Sequence, residues 1–426
     1  MKSILVLMTG IMAAAALFSC DDLYTGVRDE VYANYFHGTK QFTASDGAEN
    51  NEFGRRVAVS SDGTTIVVGN FHGEGKVADS GSAYVYRWNG SAWVEAKIMA
   101  EDGAAGDQFG FSVAISDDGS TIVIGAMHGE GKVANSGSAY VYRWNGSAWV
   151  EAKIMAQDGV LNDQFGYSVA VSAGGNIVVV GADADDDNGS ASGSVYVYRW
   201  NGTSWEEVKI IADDGALGDL FGWSVAISSD GATLVVGAKY DTILLNEYQG
   251  SAYVYRWNGS LWWFEKKITA SDGFEDDQFG YSVAISADGN TLVIGASGDD
   301  DKGSDSGAAY VYHWNGSLWE ETKITASDGA IQDWFGTSIS MSGDGTTLVI
   351  GALGDDDNGS NAGSAYVYRW DGSSWVEEKI IAGDGLSDDW FGIGVAVSSD
   401  SGTVVVGASQ DDVMYNNQGS VWLYAE

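Results

Sequence analysis

Carboxylates cluster in three short segments of the chain, which begin at Asp183, Asp299 and Asp355. Calcium takes about six to eight oxygen ligands, chiefly from carboxylates, amides and backbone carbonyls. Each segment is therefore either a calcium site or a solvated acidic turn. The candidate ligands are Asp183, Asp185 and Asp187, then Asp299, Asp300 and Asp301, then Asp355, Asp356 and Asp357.

A fourth segment places apolar residues where the pattern predicts a loop. Its residues are Tyr240, Ile243, Leu244, Leu245 and Tyr248. Exposed apolar clusters mark contact sites, so we expect a partner-binding patch. The alternative is that these side chains fold back onto the body of the protein.

Catalytic side chains are scarce in this sequence. The chain has four histidines and one cysteine, Cys20, and its paired carboxylates recur throughout instead of standing out once. A catalytic centre needs a few singular residues in one place. We therefore expect no enzyme, and the alternative is an extracytoplasmic hydrolase or lyase that acts on polymers.

The charge balance restricts the classes of partner. Sixty acidic and 21 basic residues give a net charge of -39. Nucleic-acid binding depends on Lys and Arg that neutralise phosphates, so a nucleic-acid partner is excluded. Adsorption to anionic lipid is disfavoured for the same reason. Bound cations and basic partners are favoured, although acidity also keeps a β-rich protein soluble.

The N-terminus has the pattern of a secretion signal. Lys2 precedes an apolar stretch over residues 4–18, which is short for a membrane span, and Cys20 follows. This resembles a bacterial lipobox, which predicts a signal peptide at 1–19, lipidation of Cys20 and a tether at 20–36. The alternative is ordinary secretory cleavage that leaves a free thiol. We expect an extracytoplasmic protein that is anchored to the bacterial cell envelope by lipid alone.

The rest of the chain is one unit repeated seven times. The dipeptide Phe-Gly recurs at intervals of 56 residues, with one interval of 58. Asp-Gly and Gly-Ser or Gly-Ala steps recur in the same register. The phenylalanines are Phe53, Phe109, Phe165, Phe221, Phe279, Phe335 and Phe391.

Each unit contains four strand-like runs. In the fifth unit these are residues 281–285, 291–294, 308–314 and 319–325, each rich in β-branched or aromatic residues. Steps such as Asp288-Gly289 join the first two runs, and steps such as Asn315-Gly316 join the last two. Such steps suit two-residue hairpins, so each unit is predicted to be an antiparallel meander.

Sheets that are apolar on both faces bury themselves by packing around a common axis. Tyr84, Tyr86 and Trp88 share one strand face, which predicts a wedge between blades, with a sugar-binding platform as the alternative. The last unit lacks a fourth strand, and residues 38–44 resemble that strand. We therefore predict an all-β fold over 37–426, a monomeric seven-bladed β-propeller of four-stranded antiparallel blades. An N-terminal strand completes the last blade.

The repeated pattern Phe-Gly-x-Ser-Val-Ala-Ile, Val-Ile-Gly-Ala and Gly-Ser-Ala-Tyr-Val-Tyr resembles the FG-GAP repeat of integrin alpha subunits and bacterial surface proteins. The resemblance covers residues from about Lys40 to Glu426. It implies adhesion or protein interaction. The integrin-type calcium loop between the first two strands is here a short turn, as at Asp288, with too few ligands for calcium.

These features predict a non-enzymatic envelope lipoprotein. Its propeller is expected to bind a protein or glycan through the loops between the second and third strands, with calcium as the candidate cofactor. A purely structural envelope component is a further alternative, since the fold alone does not establish a function.

Overall fold

A computed structural model describes residues 38–426. The predicted signal peptide, the lipidated Cys20 and the tether lie outside the described residues. Within them the regular structure is all β, with no helix long and apolar enough to cross a membrane. The strands are β1 Gly38–Phe42, β2 Val57–Val59, β3 Thr65–Asn70, β4 Ser82–Trp88, β5 Trp93–Ile98, β6 Ser112–Ile115, β7 Thr121–Ala126, β8 Ser138–Trp144, β9 Trp149–Ile154, β10 Ser168–Val171, β11 Ile177–Ala182, β12 Ser194–Trp200, β13 Trp205–Ile210, β14 Ser224–Ile227, β15 Thr233–Ala238, β16 Ser251–Trp257, β17 Trp262–Ile268, β18 Phe279–Ile285, β19 Thr291–Ala296, β20 Ala308–Trp314, β21 Trp319–Ile324, β22 Phe335–Met341, β23 Thr347–Ala352, β24 Ser364–Trp370, β25 Trp375–Ile380, β26 Phe391–Val397, β27 Thr403–Ala408 and β28 Ser420–Ala425.

The strands form seven four-stranded antiparallel sheets, which are the blades of a propeller. Blades 1 to 6 take consecutive groups of four strands from β2 to β25. Blade 7 has the order β1-β28-β27-β26, so the N-terminal strand supplies its outermost strand. Gly38 pairs with Ala425 and Phe42 with Val421. The predicted seven-bladed fold and its closure by an N-terminal strand are confirmed.

Each hydrophobic core lies between two neighbouring blades. Between blades 1 and 2, for example, Val85 and Ile98 pack with Phe109, Ile124 and Tyr142. The second strand of a blade is buried along its whole length, as in β7, while the outermost strand alternates between half-buried and exposed residues and ends on a buried one, as in β9. The predicted wedge is present for Tyr84 and Tyr86, which pack against blade 7 residues such as Val405. It does not include Trp88, which is 42% exposed at the end of the strand.

The Phe-Gly and Gly-Ser steps join one blade to the next. Gly81 forms a parallel bridge with Phe109 of the following blade, and the Phe109 amide donates to the Ser80 carbonyl at 3.1 Å. Gly81 has a φ of 83°, and a Cβ at this position would lie 2.2 Å from the Phe109 carbonyl oxygen. Glycine is required here because both the backbone angle and the close approach exclude a side chain.

The turns within a blade are longer than the two-residue hairpins that the sequence predicts. Trp88 pairs with Trp93, so four residues connect the third and fourth strands of blade 1. The Asn89 side chain accepts hydrogen bonds from the backbone amides of Ser91 and Ala92. This Asx turn organises the loop, so the Asn-Gly step begins a four-residue turn.

Candidate functional site

The loops between the second and third strands and the loops between blades lie on one side of the ring, which we call the upper face. The two loop sets contact each other directly. Asn188 of a 2–3 loop donates to the carbonyl of Ala212, which follows the outermost strand of the same blade, at 2.8 Å. The two loop sets therefore meet on this face.

The acidic loops surround a lysine from the outermost strand. In blade 3 the Lys209 Nζ lies 2.9 Å from Asp158, 2.8 Å from Asp185 and 2.5 Å from Asp187. The Tyr196 hydroxyl donates to Asp158 and Asp185. Burial alone would lower the pKa of Lys209, but its carboxylate partners outweigh burial and raise that pKa. The ammonium is thus charged and held by three carboxylates.

Blades 5 and 6 repeat this arrangement. In blade 6 the Lys379 Nζ lies 2.8 Å from Asp328, 2.6 Å from Asp355 and 2.7 Å from Asp357. In blade 5 the corresponding lysine pairs with three carboxylates at 2.6–2.9 Å. These residues are Lys323, Asp272, Asp299 and Asp301.

The middle aspartates of these loops have a different partner. Asp300 accepts the Asp305 amide at 2.8 Å, and Asp356 accepts the Asn361 amide at 2.7 Å. Both carboxylates therefore stabilise their own loop, and the neighbouring aspartates bind the lysine.

The fit of calcium to these loops depends on the lysines. Asp328, Asp355 and Asp357 offer carboxylate oxygens that all lie within 4.8 Å of one another, a spacing that suits a metal ion. Lys379 already occupies the space between them. A calcium ion at this position would have to displace the ammonium, so the arrangement as it stands does not fit calcium. Calcium binding stays a prediction for these loops.

Asp183 is separate from the other acidic residues of its loop. It lies near Tyr167, which lines a pocket on the propeller axis that we call the axial pocket. Residues of the innermost strands line this pocket, among them Val57, Val113 and Val169, and it encloses about 770 Å³ including its open mouth. At the opposite end of the channel the Ser229 hydroxyl donates to Asp117 across the axis at 3.2 Å. The pocket therefore opens on the upper face.

Five aromatic side chains form an arc around the mouth of the axial pocket. The ring centroids are 5.6 Å apart for Phe71 and Phe111, 5.0 Å for Phe111 and Tyr167, 4.6 Å for Tyr167 and Trp223, and 5.7 Å for Trp223 and Tyr281. Such an arc offers flat apolar surface and ring faces that attract cations.

Cationic residues of the chain itself already occupy the arc. The Lys239 Nζ lies 3.2 Å from the centroid of the Trp223 ring and 5.0 Å from that of Tyr281. At the other end, the Arg55 guanidinium lies 5.3 Å from the Phe71 ring and 5.9 Å from that of Phe111. The arc therefore binds cationic side chains of the protein itself. The pocket beside it is positively charged.

Lys239 and Asp183 are both buried, at 6% and 3% exposure. Burial lowers the pKa of Lys239 from 10.5 to about 7, although Asp183 opposes the shift. Burial raises the pKa of Asp183 from 3.8 to about 7. The Asp183 Oδ1 is buried without a hydrogen-bond partner among the described residues. Buried groups that titrate near neutrality cluster at functional sites.

The apolar loop of the fourth unit borders this pocket. Tyr240 follows Lys239, its ring lies 4.4 Å from the Lys239 Nζ, and it packs on Tyr248 at 4.9 Å. Leu244 and Leu245 are 94% and 92% exposed. They project outward and do not fold back onto the blade, whereas Ile243 is half-buried and pairs with Asn246.

Sequence reasoning did not identify the axial pocket, because a repeat analysis emphasises what the copies share. The signal lies in two variable columns of the repeat. The residue after Phe-Gly is Arg55, Phe111, Tyr167, Trp223, Tyr281, Thr337 or Ile393. The residue two places after the glycine of the second strand is Phe71, Met127, Asp183, Lys239, Ser297, Leu353 or Ser409.

The fold and the divergent upper face define the class of protein, a closed seven-bladed propeller built from one repeat. The chain belongs to the FG-GAP repeat family. Its repeats match residues 38–86, 93–142, 149–198, 205–255, 262–312, 319–368 and 375–424. Each match begins on the outermost strand of one blade and ends on the third strand of the next, so the family repeats straddle the blades.

The chain is similar to integrin alpha subunits. It is 28% identical to human (Homo sapiens) integrin alpha-11 over 286 residues, which is 58% of this chain and 22% of the integrin. It is 33% identical to human integrin alpha-6 over 138 residues, which is 30% of this chain and 12% of the integrin. The chain therefore spans less than a quarter of the length of these curated relatives.

A solved structure, Kuenenia stuttgartiensis Hydrazine Synthase, has a similar fold. It superimposes with a TM-score of 0.56 and covers 86% of this chain and 95% of that chain. The two sequences are 12% identical. The likeness therefore concerns the fold alone.

Proposed function

We propose that this protein is a non-enzymatic binding propeller, held outside the cytoplasm by lipid at Cys20, that binds a protein or glycan on its upper face. The axial pocket is the centre of this binding surface. Membership of the FG-GAP family and similarity to integrin alpha subunits support a binding role. They do not specify the ligand.

The burial of Lys239 carries the proposal. A lysine among aromatic rings, with a pKa lowered by burial, reduces the stability of the fold, and such a feature is retained where function needs it. Arg56 lines the pocket, and Lys239 lies against Trp223, which also lines it. Arg55 lies on the arc beside Phe71, and the buried Asp183 adds one carboxyl. The pocket therefore suits a carboxylate on the ligand, and Leu244 and Leu245 supply an apolar contact beside it.

Binding to purified candidates tests this proposal. The wild-type propeller is immobilised and probed with cell-envelope proteins and with a glycan panel that includes uronic acids. Every ligand that binds is then measured against Lys239→Met and a Leu244→Ser/Leu245→Ser double variant. We expect both variants to weaken binding about tenfold or more, which corresponds to the loss of about 1.4 kcal/mol.

The matched control is Leu318→Ser, which removes a half-exposed leucine from a 3–4 turn on the opposite face. This variant should bind as the wild type does. Ligands that bind equally well to all variants would place the binding surface elsewhere. If no ligand binds at all, the structural alternative is favoured.

The rival function is an enzyme that acts on extracellular polymers. Lys239 and Asp183 favour it, because both titrate near neutrality in one pocket. Turnover of a polysaccharide panel that disappears in Lys239→Met would establish the rival. Binding without turnover would support the propeller as a binding protein.

A further inference from the structure

Arginines connect neighbouring blades near the outer rim, on the face opposite the axial pocket. Each arginine lies on the third strand of one blade, and its guanidinium packs on a tryptophan of the next blade. The guanidinium-to-ring distances are 4.7 Å for Arg87 on Trp144, 4.8 Å for Arg143 on Trp200, 4.5 Å for Arg199 on Trp257 and 5.8 Å for Arg256 on Trp319.

The junction of blades 2 and 3 shows how the guanidinium is held. Arg143 lies 4.8 Å from Trp200 and 5.0 Å from Trp205. Its Nη2 donates to the carbonyl of Gly175 at 2.8 Å and to Asn176 at 3.2 Å. Two indole rings and the 1–2 turn of the next blade therefore form a guanidinium receptor.

Blade 5 breaks this pattern because His313 replaces the arginine. The imidazole is shorter and interacts with its own blade, with Nδ1 3.2 Å from the Thr291 hydroxyl oxygen. In blade 6 the two indole rings and the turn glycine are present as Trp370, Trp375 and Gly345, and Thr346 takes the position of Asn176. The two indole rings lie 5.4 Å apart, as they do in blade 3, where the distance is 5.3 Å.

The shortened side chain leaves a groove between blades 5 and 6, which we call the rim slot. It encloses about 820 Å³ including its open side, and Thr346 and Thr322 also line it. Trp370 is 43% exposed in the slot. Glu320 and Asp344 add two carboxylates to its lining.

We propose that the rim slot binds an arginine side chain of a partner protein. Four other junctions place a guanidinium on one or both of the corresponding indole rings, so the slot has the shape and chemistry of an arginine site without its arginine. Glu320 and Asp344 add the negative charge that a bound cation neutralises. The net charge of -39 favours an approaching basic partner over long range.

A pair of short peptides tests the proposal, acetyl-Gly-Arg-Gly-amide and the same peptide with citrulline, which is nearly isosteric with arginine and uncharged. Binding is followed through the indole N–H signals of Trp370 and Trp375 in NMR spectra, assigned with Trp370→Phe and Trp375→Phe. We expect the arginine peptide to shift both signals in a saturable way and to bind about tenfold more tightly than the citrulline peptide.

The decisive variant is His313→Arg, which restores the arginine of the other junctions from within the chain. It should abolish peptide binding and raise Tm, because the new guanidinium fills the slot. His313→Gln, which is shorter than arginine and uncharged, should retain binding. Persistent binding to a folded His313→Arg variant would overturn the proposal.

Charge and ligand class are tested separately. Glu320→Gln should weaken binding of the arginine peptide several-fold. Equal affinity for the citrulline peptide would show that the slot does not select a cation. Saturable binding of a neutral oligosaccharide such as chitotetraose at the two indole signals, with no response to arginine, would identify the slot as a glycan site. Either of these two results would overturn the proposal. The rim slot lies on the face opposite the axial pocket. The result of the peptide test therefore does not depend on the function proposed above.

Discussion

Replacement of Lys239 by methionine should stabilise the fold and weaken ligand binding at the axial pocket. Methionine keeps the length of the apolar stem and removes the ammonium. Burial lowers the pKa of Lys239 from 10.5 to about 7. At 1.36 kcal/mol per pKa unit, burial costs the folded state about 5 kcal/mol while the lysine is charged, before its contacts with the aromatic rings are counted.

Contacts with the aromatic rings offset part of this cost. The ammonium lies 3.2 Å from the Trp223 ring centroid, and desolvated contacts of this kind contribute about 2 kcal/mol. Asp183 loses an attractive neighbour in the variant, but at pH 6 it is largely protonated, because burial raises its pKa to about 7. The expected gain in the free energy of unfolding is therefore about 3 kcal/mol at pH 6.

The stability that Lys239→Met gains should decrease as the pH rises. The folded-state pKa of Lys239 is below its unfolded value, so the cost is complete below about pH 7. Above pH 7 the folded lysine releases its proton, and the cost then decreases with rising pH until it vanishes near the unfolded pKa of 10.5. Thermal unfolding of wild type and Lys239→Met at pH 6, 8 and 10 measures this dependence, with an expected Tm difference of about 4 °C at pH 6.

Lys267 provides the matched control, because it lies in the same blade with paired carboxylates. Its Nζ lies 2.7 Å from Asp214 and 2.5 Å from Asp241. Burial would lower the pKa of Lys267, but its partners outweigh burial and raise it, so Lys267→Met should destabilise the fold where Lys239→Met stabilises it. A Lys239→Met variant that is less stable than the wild type at pH 6, or that shows the same difference at pH 6 and pH 10, would refute the reasoning.

Three further predictions concern the pH dependence of binding, calcium and the glycines that join the blades. Affinity for a carboxylate ligand should fall as the pH rises through about 7, because Lys239 loses its charge; constant affinity between pH 6 and 8.5 in titration calorimetry would contradict this. Calcium should raise the Tm of Lys379→Met more than that of the wild type, since the variant frees the carboxylates of Asp328, Asp355 and Asp357. Equal shifts in Tm would show that these residues do not bind calcium. Gly137→Ala should cost about 3 kcal/mol or more in denaturant unfolding, because its Cβ would lie 2.1 Å from the Phe165 carbonyl oxygen; Gly146→Ala, with a similar φ and open space, should cost about 1 kcal/mol.

The sequence alone determined the fold of this protein, because the information is repeated and local. Strand alternation, turn residues and the Phe-Gly steps recur in every unit. A missing strand after Tyr424 and a matching segment near Lys40 implied the closure that the pairing of β1 with β28 confirms. The alternation of polar and apolar residues that predicts the burial of Tyr84 is a property of a single strand. This burial could therefore be predicted without tertiary information.

Tertiary structure decided the site, because the decisive contacts join residues that the sequence separates. The acidic loop at Asp185 has the composition of a calcium site, but Lys209 reaches it from the outermost strand of the blade. The axial pocket assembles two or three residues from each blade at the ring axis, and Lys239 meets Tyr281 of the next blade only when the blades pack together. Likewise, the consequence of His313 depends on Trp370 of the next blade. The repeat predicts the structure that every blade shares. The candidate sites lie where ring closure brings together residues that differ between the blades.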